Sequence, residues 1–235
     1  MRHFIITGAS RGVGYEVVRS LASEGEGRRI IALARSEEAL QALRADAEDP
    51  SKDNLILPLA FDLGQEDYTP LQEAIKGFCG GRIDGLLNNA GKLINRPFEE
   101  LSDEDWYLIY KVNVFGVVKL TRFLLPYMSS GHIVNVSSMG GIQGSVKFPG
   151  LSAYSSSKAA VIGITECLAE EYKDSPLRFN GLAFGSVQTQ MLEEAFPGFK
   201  AAVSAEEMGA YTARFLLEGG QFFNGKTLQV SSSTP

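Results

Sequence analysis

The N-terminal stretch of the sequence restricts the fold of the chain more than any other part. A short apolar run at residues 3–7 stops at Gly8-Ala9-Ser10-Arg11-Gly12-Val13-Gly14, and apolar residues at helical spacing follow from Tyr15 to Ala22. This order predicts a strand, a glycine turn and a helix. Glycines let the backbone approach a ligand closely, and a helix N-terminus offers unpaired N–H groups to an anion. The alternative is a plain tight turn.

Strands and helices alternate along the rest of the chain. We predict further strands at residues 29–34, 55–61, 85–87, 132–136, 178–183 and 227–230, and helices at residues 36–47, 68–79, 103–128, 153–172 and 205–217. Such alternation indicates right-handed crossovers and a parallel sheet with helices on both faces. We therefore predict one α/β domain over residues 1–235, a three-layer doubly wound sheet of the Rossmann type, with residues 231–235 as a loose tail. A dinucleotide in such a fold binds at the first glycine turn.

Charge and composition exclude several classes of partner. The formal net charge of -6 argues against nucleic acid or an anionic membrane as the main partner, and no apolar segment is long enough to span a bilayer. The N-terminus is unlike a signal peptide. Cys79 and Cys167 lack metal-ligand spacing, so we interpret them as small core residues of a cytoplasmic protein without a metal site. His3 and His132 border apolar runs and are predicted to be structural.

A phenol and an ammonium lie one helical turn apart in Tyr154-Ser155-Ser156-Ser157-Lys158. Side chains at this spacing share a helix face. Tyrosine loses its proton near pH ~10, and a nearby cation favours the phenolate. The pair is therefore a candidate proton donor at neutral pH, although the same spacing is common on solvated helix surfaces.

Several motifs together make the chain resemble the short-chain dehydrogenase/reductase family. The spacing Gly-x-x-x-Gly-x-Gly at residues 8–14 looks like the cofactor turn of that family, and Asn88-Asn89-Ala90-Gly91 looks like its motif after the fourth strand. The motifs occur in the order of the family over nearly the whole chain, from His3 to Val230. The resemblance implies an oxidoreductase that uses a nicotinamide cofactor.

The resemblance also implies four catalytic residues, Asn113, Ser138, Tyr154 and Lys158. Tyr154 is expected to protonate a carbonyl oxygen during hydride transfer, with Ser138 polarising that carbonyl. Lys158 is expected to lower the pKa of Tyr154 and to contact the nicotinamide ribose. Asn113 is expected to perturb its helix and hold a water, whereas an ordinary mid-helix amide faces solvent. Ser137 points the other way along the strand and is predicted to be structural.

The end of the second predicted strand indicates which cofactor the chain binds. An acid there would bind the adenosine ribose of NAD, but the sequence reads Leu33-Ala34-Arg35-Ser36. Arg35 and Arg11 could instead hold a 2′-phosphate, so we predict NADP(H), against the alternative that both arginines are merely solvated. The residues predicted to bind the cofactor are Gly8, Ser10, Arg11, Gly12, Val13, Gly14, Arg35, Asp62, Leu63, Asn89, Ala90, Gly91, Tyr154, Lys158, Gly185, Val187 and Thr189.

The region after the sixth predicted strand departs from the family. Its usual Pro-Gly is replaced by Phe184-Gly185, although Gly185 and Thr189 are retained. Phe184 is therefore expected near the nicotinamide or the substrate. The segment that covers the substrate, residues 190–202, is short, which favours an open pocket. Apolar loop residues favour an apolar substrate pocket or, equally, ordinary loop packing.

These observations predict an NADPH-dependent carbonyl reductase that acts on a small-molecule carbonyl or alcohol. A second hypothesis is an NADP(H)-binding sensor or scaffold without catalysis. We expect a homodimer or homotetramer formed through the helices at residues 103–128 and 153–172. Candidate apolar contacts there are Val117, Leu120, Phe123, Val161 and Cys167.

Overall fold

Seven parallel strands form the central sheet of the computed structural model, which describes residues 1–231. The strands in chain order are β1 (Arg2–Thr7), β2 (Arg28–Ala34), β3 (Leu55–Ala60), β4 (Gly85–Asn88), β5 (Gly131–Ser138), β6 (Leu177–Phe184), β7 (Val187–Gln188), β8 (Val203–Ser204) and β9 (Thr227–Val230). The helices are α1 (Gly12–Ser23), α2 (Glu37–Ala47), α3 (Thr69–Cys79), α4 (Asp103–Tyr110), α5 (Gly116–Leu124), α6 (Ser152–Glu171), α7 (Gln190–Ala195) and α8 (Ala205–Glu218). The predicted tail lies outside the described residues except for Ser231.

The strand order confirms the doubly wound, three-layer prediction. The sheet runs β3-β2-β1-β4-β5-β6-β9, so chain order reverses between β1 and β4. Side chains alternate across β1: Phe4 and Ile6 pack with α1, α2 and α8, whereas Ile5 packs with α3, α5 and α6. Helices therefore cover both faces, and the carboxyl ends of the strands meet at one edge, where ligands bind in such sheets.

The long helix predicted over residues 103–128 is interrupted. It begins as predicted at Ser102, whose hydroxyl accepts the N–H of Asp105 in a capping box. Residues Lys111–Phe115 form one π-helical turn, closed by the N–H of Gly116 on the carbonyl oxygen of Lys111, before α5 continues. The turn contains Asn113, which the family resemblance led us to expect would perturb its helix, although the apolar spacing alone gives no sign of the extra residue.

The part between β6 and α8 holds three short elements that the sequence analysis missed. They are β7, α7 and β8, of two, six and two residues. Elements this short complete hardly more than one repeat of any periodic pattern, so pattern reasoning cannot detect them. Within residues 1–231, no helix is long and apolar enough to cross a membrane.

Four residues assigned from the sequence lie elsewhere than expected. Cys79 is buried as predicted, but Cys167 is exposed on α6 and is not a core residue. Val117, Leu120 and Val161, named above as subunit contacts, are buried within the protomer, since helical spacing alone does not show which side of a helix faces the sheet. They therefore belong to the core of a single chain.

His132 is a buried structural histidine whose ring is held on both nitrogens. Its Nδ1 lies 3.2 Å from the carbonyl oxygen of Leu216, and its Nε2 lies 2.9 Å from the amide Nδ2 of Asn180. Because the amide can only donate, Nε2 accepts and Nδ1 carries the proton. Burial lowers the pKa of His132 from its ordinary 6.5 to about 4.

We expect the free energy of unfolding to fall as the pH drops from 6.5 to 4. In this window the unfolded chain binds a proton at His132 that the folded chain does not, at a cost of about 3 kcal/mol when complete. Urea unfolding across this range measures the slope. His132→Gln should be less stable at pH 7.5 but should lose stability less steeply on acidification; equal slopes in both proteins would contradict the assignment.

Candidate active site

The glycine turn places the N-terminus of α1 against the carboxyl edge of the sheet. Gly8 and Gly12 have positive φ angles of 67° and 61°, a conformation that L side chains rarely adopt. A Cβ atom at Gly14 would lie 2.4 Å from the carbonyl oxygen of Gly8. The first turn of α1 therefore packs directly on the loop before it, which only glycine allows.

Thr7 and Asn89 join this turn to the segment after β4. The Thr7 hydroxyl accepts the N–H groups of Asn89 and Ala90, at 2.9 and 3.0 Å, and donates to the carbonyl oxygen of Leu87. The Asn89 amide returns a hydrogen bond of 3.1 Å to the carbonyl oxygen of Thr7. Thr7 has a positioning role that the sequence analysis missed, because its partners lie about 80 positions away.

Ser138 and Tyr154 bring two hydroxyl groups together at the next part of the edge. Ser138 ends β5, and Tyr154 lies in the first turn of α6. Burial raises the pKa of Tyr154 above its ordinary value, and a hydrogen bond with Ser138 offsets part of that rise. The lowered pKa expected for Tyr154 is therefore wrong for the protein alone, since desolvation outweighs the neighbouring groups.

Lys158 lies beside this pair with its ammonium buried. Nζ donates to the carbonyl oxygen of Val136 at 2.8 Å and is 5.8 Å from the centroid of the Tyr154 ring. It therefore faces the ring of Tyr154. Burial lowers the pKa of Lys158 to about 8. The Ser137 hydroxyl donates to the backbone carbonyl of Lys158 at 2.8 Å, which fixes α6 on β5 and gives Ser137 the structural contact predicted for it.

Asn113 faces inward from the π-helical turn. Its Oδ1 accepts the N–H of Lys92 at 2.7 Å, and its Nδ2 donates to the carbonyl oxygen of Lys92 and to the hydroxyl of Ser157 at 2.9 Å. Ser157 in turn donates to the backbone carbonyl of Tyr154 at 2.6 Å. Asn113 is thus buried and fully engaged, which rules out the solvent-facing alternative. Ser157 carried no signal of its own among three consecutive serines.

A cavity of about 590 Å³ lies over this edge of the sheet. Its wall includes every residue predicted to bind the cofactor except Gly14, which lies behind the turn, and it includes Ser138. Asn113 stands behind the wall, where it hydrogen-bonds to Lys92 of the lining and to Ser157. The structure thus brings the glycine turn, Arg35 and the Ser138–Tyr154 pair around one space.

The segment after β6 crosses this cavity although it is short. Thr189 caps α7, and its methyl group would lie 3.4 Å from a Cβ atom at Gly12. Phe184 borders the cavity while packing largely into the core. Gly185 is required because a Cβ atom there would lie 2.4 Å from Oγ of Ser231. The expected open pocket is therefore partly covered.

A family model described as "short chain dehydrogenase" matches residues 2–199. The chain belongs to the short-chain dehydrogenase/reductase family. The chain is thus an oxidoreductase of a family that binds a nicotinamide cofactor and acts on small-molecule substrates.

Curated relatives of this short-chain dehydrogenase include reductases of acyl-carrier-protein substrates. It is 36% identical over 196 residues to the 3-oxoacyl-(acyl-carrier-protein) reductase of Thermotoga maritima, covering 81% of this chain and 76% of the relative. It is 30% identical over 237 residues to the enzyme of the same name from Haemophilus influenzae, covering 97% and 95%. The match to the Haemophilus influenzae enzyme spans nearly the whole of both chains.

A solved structure shows the same fold. The 3-ketoacyl-(acyl-carrier-protein) reductase of Brucella melitensis, complexed with NADH, superposes with a TM-score of 0.84 at 25% identity, covering 97% of this chain and 96% of that one. The glycine turn of the present chain fits a nicotinamide dinucleotide, because the close contact of Gly14 with Gly8 leaves backbone groups rather than side chains at the N-terminus of α1.

We expect Gly14→Ala to weaken both the fold and cofactor binding, because the added methyl group meets the Gly8 carbonyl and the turn must shift. The expected loss in free energy of unfolding is about 1–3 kcal/mol. Urea unfolding and a fluorescence titration with NADPH measure the two effects. Gly77→Ala, in the exposed part of α3 with no atom near its added methyl group, is the matched control and should be neutral or slightly stabilising. A wild-type free energy of unfolding and a wild-type NADPH affinity in Gly14→Ala would contradict this role of the close contact between Gly14 and Gly8.

Proposed function

We propose that this short-chain dehydrogenase is an NADPH-dependent carbonyl reductase with Asn113, Ser138, Tyr154 and Lys158 as its catalytic group. The observation that carries the proposal is that Ser138, Tyr154 and Lys158 line the same cavity as the glycine turn. Reductases of 3-oxoacyl substrates among the relatives support carbonyl reduction as the reaction type.

Each member of the group has a distinct task. A bound reduced nicotinamide supplies the hydride for the carbonyl carbon. Ser138 donates a hydrogen bond to the carbonyl oxygen, and Tyr154 donates its proton to that oxygen as negative charge develops there. The raised pKa of Tyr154 keeps this proton in place at neutral pH. Lys158, which is buried beside Tyr154, holds a positive charge close to the proton transfer.

Asn113 is a positioning residue for this group. It connects to the backbone of Tyr154 through Ser157 and to the backbone of Lys92, which lines the cavity. Both the donor helix and the segment after β4 are therefore held by one buried amide. A water held by Asn113, as the family resemblance implies, is part of the proposal.

The proposed preference for NADPH depends on the charges at the adenosine end. Arg35 follows β2 and Arg11 lies in the glycine turn, and both line the cavity. No carboxylate stands at the end of β2, where one would bind the ribose hydroxyl of NAD. Two guanidinium groups, with no acid at the end of β2, favour a 2′-phosphate over a hydroxyl group.

Replacing Tyr154 with Phe removes the proposed proton donor and should lower kcat for carbonyl reduction at least ~100-fold. NADPH binding should persist, because the ring and its packing remain. Steady-state NADPH oxidation and a fluorescence titration measure the two properties. Tyr172→Phe, which removes a hydroxyl far from the cavity, is the matched control.

Two results would contradict the proposal in different ways. Unchanged turnover in Tyr154→Phe would show that Tyr154 is not the proton donor. Tight NADPH binding by the wild-type protein without NADPH oxidation across a broad carbonyl panel would favour the sensor or scaffold hypothesis instead.

The proposal includes a homodimer or homotetramer. The stretch from α4 to α5 exposes large apolar side chains, with Tyr107 at 76%, Leu108 at 42% and Phe115 at 55%. Tyr107 and Phe115 lie outside the cavity lining, and large exposed apolar side chains of this kind are typical of an interface between subunits. This surface replaces the buried Val117 and Leu120 as the expected contact.

We expect light scattering at micromolar concentration to give at least twice the monomer mass. Phe115→Glu introduces a charge into the expected contact and should shift the mass toward the monomer while the circular dichroism spectrum stays unchanged. Phe222→Glu, at an equally exposed apolar residue outside the α4–α5 stretch, is the control and should not dissociate the protein. A wild-type monomer would contradict the oligomer.

A further inference from the structure

An ion pair joins the glycine turn to α7. Nη1 of Arg11 lies 3.2 Å from Oε1 of Glu194, although the two residues are 183 positions apart in the sequence. Both side chains are about half exposed, at 51% and 56%. Arg11 immediately precedes α1, and Glu194 lies near the end of α7. The carboxylate therefore stands beside an arginine that the proposed function assigns to the cofactor.

The two arginines at the adenosine end are not equivalent. Within residues 1–231, Arg35 has no ion pair or hydrogen bond, and its side chain is exposed at the cavity rim. Arg11 is already paired with a carboxylate. A phosphate that enters this end thus meets one available guanidinium group and one that is engaged.

We propose that Glu194 is a specificity-determining residue that weakens NADPH binding relative to NADH by competing with the 2′-phosphate for Arg11. The inference rests on the proposed function, in which Arg11 receives that phosphate. A carboxylate and a phosphate are both acceptors for a guanidinium group, and they repel each other when they share one. NADH carries a hydroxyl group at this position, so its binding neither requires Arg11 nor brings a charge toward Glu194.

Removing the Glu194 charge leaves other tethers of α7 in place. Nδ2 of Asn95 donates to the carbonyl oxygen of Ala195 at 2.8 Å, and Nε2 of Gln188 donates to the Glu193 carboxylate at 2.8 Å. Thr189 caps the helix independently. A change in cofactor affinity in Glu194→Gln can therefore be assigned to charge, and equal changes for both cofactors would reveal a displaced helix.

The test compares Glu194→Gln with Glu193→Gln in the full chain. Both variants remove one charge from neighbouring positions of α7, but only Glu194 contacts Arg11. Kd values for NADPH and NADH are measured by fluorescence titration at low salt and again at high salt. Exposed ion pairs contribute little, so we expect Glu194→Gln to bind NADPH about three- to fivefold more tightly, with NADH unchanged. Salt should remove the difference.

Three results would overturn the inference. They are an unchanged or weaker NADPH affinity in Glu194→Gln, an equal gain for NADH, and an equal gain in Glu193→Gln. A smaller gain in Glu193→Gln than in Glu194→Gln supports it, because the effect then depends on contact with Arg11.

Arg11→Gln separates this inference from the proposed function. If Arg11 binds the 2′-phosphate, Arg11→Gln weakens NADPH relative to NADH, and adding Glu194→Gln to it gives no further gain. If Arg11→Gln weakens NADPH while Glu194→Gln has no effect, only the role of Glu194 fails. If Arg11→Gln leaves the ratio of the two Kd values unchanged, the assignment of Arg11 in the proposed function fails, and the inference is overturned with it.

Discussion

The Thr7 hydroxyl joins the two halves of the sheet at the point where strand order reverses. It accepts two backbone N–H groups from the segment after β4 and donates to the carbonyl oxygen of Leu87 in that strand. These hydrogen bonds therefore fix the position of the glycine turn after β1 relative to the wall formed by Asn89 and Ala90. The other parts of the cavity follow the carboxyl ends of β2, β3, β5 and β6, which belong to the same sheet.

Desolvation shifts both titratable groups of the site toward their neutral forms. Burial disfavours the charged forms of both Tyr154 and Lys158, which raises the pKa of the first and lowers the pKa of the second. A phenol that keeps its proton suits donation to an oxygen, the direction of proton transfer in a reduction. A hydrogen bond with Ser138 opposes the rise, so in the proposed mechanism the serine acts on both the substrate and the donor.

The sequence predicted what local patterns determine. Apolar periodicity and glycine placement identified the strands, the doubly wound sheet and the turn at Gly8 and Gly14, and Ser102 marked its helix start. Contacts between distant positions were not predictable: Thr7 with Asn89, Ser157 with Asn113, and Arg11 with Glu194 all join different elements. The predicted direction of the Tyr154 pKa shift was wrong, because neighbouring residues in the sequence do not show how deeply a side chain is buried.

The π-helical turn at Lys111–Phe115 is equivalent to one residue inserted into an otherwise regular helix. Deleting a single residue there would restore regular hydrogen bonding, and α5 would keep its orientation against α4, because a π-helical turn absorbs the extra residue. The backbone around Asn113 would move, and its amide would then leave Lys92 and Ser157. A designer who straightened this helix for stability would gain one ordinary turn and lose the contacts of Asn113, so the irregularity marks where chain length itself is constrained.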